Sequence, residues 1–89
     1  MLIEKTFTLK NKLGIHARPA AELVKLAGKY KSKITLATEK KTADGKSLLL
    51  VMSLGAKMDD ALTVKIEGDD ESEAMVAFET LITNKFYED

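Results

Sequence analysis

Residues 46–55 read KSLLLVMSLG, and the fold turns on whether that run is a strand or a helix. Five consecutive apolar residues, 48–52, fit a strand buried on both faces. Yet Ser47 is a favourable N-cap, because its hydroxyl can accept from a backbone N–H one turn further on. Gly55 is an equally favourable stop, and a short helix with one exposed apolar side fits between the two. The run by itself leaves both forms open.

Downstream, residues 60–67 alternate without a break, with Leu62, Val64 and Ile66 on one side and Thr63, Lys65 and Glu67 on the other. A period of two is that of a strand with one wet face. The next stretch, GDDESEAMVAFETLI at residues 68–82, carries the strongest local signal in the chain. Asp70 with Glu73 three residues on is a capping-box pattern, and Ala74, Ala77, Phe78, Leu81 and Ile82 form one helical stripe. This helix is expected to fray into NKFYED, residues 84–89.

Upstream, residues 33–38 place Ile34 and Leu36 on one face. After a turn at Glu39 and Lys40, residues 40–44 add a short polar strand, which makes a hairpin. Residues 2–9 read as a first strand, in which Phe7 and Leu9 alternate with Glu4, Thr6 and Thr8 until KNKLG breaks the pattern. From Ala17 the period lengthens: Ala20, Leu23, Val24 and Ala27 are the inward stripe of a helix ending near Gly28. With the central run as a helix, the order is β, α, β, β, short α, β, α. That order implies a single α+β domain over residues 1–89, an antiparallel sheet with one face covered by helices.

Composition narrows the function. A chain of 89 residues buries only about 60–65% of its unfolded surface, so a deep enclosed pocket is not expected. Fourteen basic residues balance fourteen acidic ones, leaving no net field to attract nucleic acid or an anionic membrane. The absence of cysteine removes disulfides, thiolate metal sites and cysteine nucleophiles, and a lone histidine removes a histidine-cluster metal centre. The opening MLIEKTFTLK lacks the apolar run of a signal peptide, and no apolar stretch approaches the roughly 18 residues of a membrane span. A cytoplasmic protein without a cofactor is expected.

The chemistry concentrates in GIHARPAAEL, residues 14–23, which holds the only histidine and the only proline. Pro19 suits the first turn of a helix, where its missing N–H is no loss. The free N–H groups of that turn, facing back toward His16, carry roughly half a positive charge and favour an anion, a phosphoryl group above all. Arg18 adds a full charge and a fork of donors matched to phosphate oxygens. Arginine is electrostatically misplaced at a helix start unless a dianion arrives. The same positive surroundings disfavour imidazolium, so a neutral, nucleophilic ring able to hold a phosphoryl group covalently is expected. Nothing else supplies a magnesium site or a substrate pocket, so donor and acceptor are expected to be other proteins.

GIHARPA resembles the active-site motif of the histidine-containing phosphocarrier family, HPr, of the bacterial phosphoenolpyruvate-dependent sugar phosphotransferase system. The likeness extends to GKSLLLVMSLG, to EGDDESEA before the last helix, and to the length and element order. It implies an open-faced β-sandwich of four antiparallel strands with three helices on one face, and it favours the helical reading of the central run. It further implies that His16 is phosphorylated through Nδ1 and that Arg18 stabilises the phosphoryl group. Enzyme I would be the donor and enzyme IIA domains the acceptors. Leu48, Leu49 and Met52 would face partners together with Ala17, Ala21 and Lys25, while Leu50, Val51 and Leu54 are assigned to the core. Ser47 matches the serine that an HPr kinase/phosphorylase modifies in many relatives. Leu50 departs from the small or polar residue common in sugar-system relatives. A monomer without metal is expected, a carrier and not an enzyme.

Other readings are weaker. DGKS is no nucleotide-binding loop, because Lys40 stands where that motif needs glycine. A regulatory or nitrogen-branch binding module, docking by the Leu48, Leu49 and Met52 patch and switched at Ser47, is the main alternative. A self-sufficient hydrolase or metalloenzyme has no evident site.

Overall fold

The computed structural model describes residues 1–88; Asp89, the last residue of the expected domain and of the segment expected to fray, lies outside the described residues. The elements follow as β1 (Leu2–Thr8), α1 (Ala17–Ala27), β2 (Lys33–Ala37), β3 (Thr42–Asp44), α2 (Leu48–Ser53), β4 (Ala61–Glu67) and α3 (Glu71–Thr83). The central run is helical. Ser47 Oγ accepts from the Leu50 N–H at 3.3 Å, and the helix stops ahead of Gly55, whose φ is +63°.

The four strands form one antiparallel sheet in the order β1-β4-β2-β3. Directly opposed residues share a face, and Ile3 opposite Ile66, Phe7 opposite Leu62 and Leu36 opposite Val64 align the apolar sets. Ile34, Leu36, Leu62, Val64 and Ile66 are buried on that face beneath Ala20, Leu23 and Ala27 of α1 and Ala74, Phe78 and Ile82 of α3. All three helices lie on this side, the open-faced sandwich expected from the sequence. On the open face the Thr6 and Thr63 hydroxyls meet across the strands at 2.9 Å. Lys5, opposite Val64 and so on the helix side, reaches Glu79 of α3 at 2.9 Å from the sheet edge.

Six local expectations are corrected. β1 closes at Thr8, because Leu9 turns to exchange backbone hydrogen bonds with Asp59 and Asp60. β3 is shorter than expected and starts at Thr42. The capping box at Asp70 and Glu73 does not form: the Asp70 carboxylate instead accepts from the Lys31 N–H at 2.8 Å, the Ser32 N–H at 3.0 Å and the Ser32 hydroxyl. Three donors at the entry to β2 outcompete one helix N–H. Leu50 is not core but 46% exposed, whereas Val51 and Leu54 are buried as expected; in a six-residue helix only one side can face the sheet. Residues 84–88 do not fray. Lys85, Phe86 and Tyr87 form a tight left-handed turn with φ near +55°, and Phe86 is 1% exposed in the core. The inward face of α3 is also rotated, taking in Met75 and leaving Ala77 and Leu81 partly covered.

Candidate functional site

The backbone just before α1 is fixed by the connection between α2 and β4 and by Asn11. Gly14 adopts φ +62° and packs against the chain at Ala56 and Lys57, where the Ile15 N–H donates to the Ala56 carbonyl at 2.9 Å. Asn11, fully buried, donates from Nδ2 to the Gly14 carbonyl at 2.6 Å. Ile15 is buried, so the chain enters α1 with its next residue, His16, directed outward.

His16 is the N-cap residue of α1 in extended conformation, and its side chain does not cap the helix. Pro19 is buried in the first turn, as expected of a proline there. The first turn holds no acidic residue. Arg18 is exposed and forms no ion pair among the described residues.

The ring itself meets a carboxylate that the local reading did not place there. Nε2 of His16 lies 3.0 Å from Glu88 Oε1 and 3.2 Å from Oε2, while Asn11 Nδ2 donates to the same Oε1 at 3.0 Å. Burial works to raise the Glu88 carboxyl, but hydrogen bonds from Asn11 and His16 and the charges of His16 and Arg18 outweigh it and hold the group below the usual carboxylate range. Glu88 is therefore an ionised acceptor, and the nitrogen facing it carries the proton. In the neutral ring that leaves the lone pair on Nδ1, which has no hydrogen-bond partner among the described residues.

The remaining expected residues fall on two helices packed against each other. Ala17, Ala21 and Lys25 recur every four residues along α1 and are exposed. On α2, Leu49 is 78% exposed, and Leu48, Leu50 and Met52 also stand out from the surface. Leu50, assigned to the core from sequence, thus joins the apolar patch. Ser47 is half-buried and occupied as the N-cap of α2. Sequence reasoning missed Asn11 and Glu88: one lay in a stretch read only as a break, the other in a tail read as frayed.

These features define a small open-faced β-sandwich that presents one imidazole at a helix start beside an exposed arginine and an apolar helix face. The chain matches, over residues 3–84, the family model described as PTS HPr component phosphorylation site. It belongs to that family, the HPr phosphocarriers of the phosphotransferase system. It is 41% identical over 88 residues to the phosphocarrier protein HPr of Xylella fastidiosa strain Temecula1, covering 99% of each chain. The crystal structure of HPr-C-His from Thermoanaerobacter tengcongensis aligns with a TM-score of 0.92 at 42% identity over 98% of both chains. A crystal structure of an HPr dimer from the same organism aligns at 0.77 with 43% identity, covering 92% of this chain and 94% of that one.

Proposed function

We propose that this protein accepts a phosphoryl group on His16 from phospho-enzyme I and passes it to enzyme IIA domains during phosphoenolpyruvate-dependent sugar uptake. The observation that carries this reading is the ring at the start of α1, with Nε2 engaged by Glu88 and the Nδ1 lone pair left for phosphorus. Nδ1 forms the new N–P bond as the bond from phosphorus to the donor breaks, its electron pair staying on the donor. Arg18 and the first-turn N–H groups of α1 receive the phosphoryl oxygens. Transfer onward reverses these bonds toward the acceptor, so the protein acts as a covalent intermediate and not as an enzyme.

Exposed Leu48, Leu49 and Met52 with Ala17, Ala21 and Lys25 form the docking face, and the adaptable methionine suits a surface that meets several partners. A phosphate added to Ser47 by an HPr kinase/phosphorylase would put about two negative charges at the edge of that face and weaken the docking of acidic partners. No helix among the described residues is long and apolar enough to cross a membrane. The reading places a monomer in the cytoplasm.

The test is intact-mass analysis after incubation with enzyme I, magnesium and phosphoenolpyruvate, before and after acid treatment. A single acid-labile phosphoryl adduct, absent in His16→Ala, is expected. An adduct that persists in His16→Ala, or none with an active matched enzyme I, overturns the proposal.

A further inference from the structure

We infer that Glu88 is a positioning residue for phosphoryl transfer: it fixes His16 with the proton on Nε2 and balances the positive charge the ring acquires when Nδ1 is phosphorylated. The inference rests on the phosphocarrier reading of His16 and assigns a role to the far end of the chain.

A carboxylate is a costly neighbour in a place suited to a dianion, since it repels the incoming group. Its geometry gives it a use. Glu88 addresses Nε2 and not Nδ1, with both oxygens within 3.2 Å, so it engages the nitrogen that does not take the phosphoryl group. Asn11, buried and tied to the Gly14 carbonyl, holds Oε1 from the other side. The segment that delivers the carboxylate is itself constrained, with three consecutive left-handed residues that lack glycine's freedom and a buried Phe86 anchoring them. Local strain of this kind persists only where the surroundings enforce it. The charged groups bearing on Glu88 are His16 and Arg18.

The consequence follows from counting charge. When the Nδ1 lone pair bonds to phosphorus, the ring keeps its Nε2 proton and becomes a cation. Glu88 is then a fixed counter-charge, as the aspartate is for the imidazolium of a serine-protease triad. When the N–P bond breaks again, its electron pair returns to Nδ1 and the ring leaves as neutral imidazole with no proton exchanged. If Nε2 loses its proton first, the leaving group is an imidazolate and transfer slows. Glu88 therefore extends the labile, transferable form of phosphohistidine toward higher pH.

The experiment measures spontaneous hydrolysis of phosphorylated wild type, Glu88→Gln and Glu88→Asp across pH, with ¹⁵N spectra of the ring in the unphosphorylated proteins. In Glu88→Gln the midpoint at which hydrolysis slows is expected to move down by about one pH unit, the scale of losing one nearby opposite charge. Glu88→Asp should restore part of the shift. The spectra should show one tautomer, Nε2–H, in wild type and a mixture in Glu88→Gln, because an amide can donate as well as accept. Unchanged hydrolysis profiles overturn the inference. If none of the proteins can be phosphorylated, the carrier reading fails separately and the spectra decide whether Glu88 orients the ring: an unchanged tautomer ratio overturns that too.

Discussion

At the scale of the residue, the position of His16 depends on what stands two residues before it. Gly14 sits at φ +62°, and a Cβ there would lie 2.3 Å from the Ala56 carbonyl oxygen and 2.6 Å from Lys57 Cα. The left-handed conformation alone costs a non-glycine residue about 1–2 kcal/mol, and backbone atoms cannot rotate out of the way. Gly14→Ala is accordingly expected to lose roughly 2 kcal/mol or more, and the ring resonances of His16 should shift as its approach to Glu88 changes. Urea unfolding at neutral pH checks this, and a loss below about 0.5 kcal/mol would show that the 56–57 segment yields freely. His16 and Arg18 were legible in the sequence because each carries chemistry that is odd in its place: a sole imidazole, and a cation at a positive helix end. Asn11 and Glu88 were not, since their meeting spans 77 residues and leaves no periodic trace in either segment.

At the scale of the element, the terminal turn shows how side-chain burial overrides local preference. Lys85, Phe86 and Tyr87 have φ of 55°, 56° and 57°. The turn persists because Phe86 is driven into the core and because the Tyr87 N–H donates to Asn84 and the Glu88 N–H to Lys85 at 2.8 and 3.1 Å. Phe86→Ala should destabilise the fold by about 3–5 kcal/mol and release Glu88 from His16. Tyr87→Gly, at an exposed side chain, should instead stabilise by roughly 0.5–1 kcal/mol by relieving one left-handed residue. Chemical melts of the two variants give opposite signs if the turn exists as described; losses of equal size would refute it. The sequence reading failed here because helical periodicity stops at Ile82 and a lone aromatic beyond it has no pattern to announce its burial. The central run was legible only in part: Ser47 and Gly55 bracket it with a cap and a stop that the structure uses as such, but five consecutive apolar residues fitted a buried strand as well, and only the family resemblance favoured the helix.

At the scale of the whole molecule, element types could be read from local pattern, but strand order could not: β1 pairs with β4 across the length of the chain, and nothing in either strand names its partner. What ties such distant segments together is partly carboxylate chemistry. Asp70 joins α3 to the entry of β2, and hydrogen bonds from the Ser32 side chain and the Lys31 backbone hold its carboxyl below the usual range against the opposing effect of burial. Glu71 is held low by the Gly68 N–H, again against burial. Glu88 is low because its bonds to Asn11 and His16, with the nearby charges, outweigh burial. In each case the folded carboxyl is more acidic than the unfolded one, so the unfolded chain binds more protons as pH falls. The stabilisation is complete above the unfolded carboxylate values, near about pH 4, and is lost as pH drops through the lower folded ones. For these groups the stability curve should be level from neutrality down to about pH 5 and fall below it. The urea midpoint at constant slope should therefore decline steeply between pH 5 and pH 2, and Asp70→Asn should start lower at pH 7 and decline less. A midpoint in wild type as high at pH 2 as at pH 7, or an identical decline in Asp70→Asn, would show that these carboxylates do not hold the distant segments together.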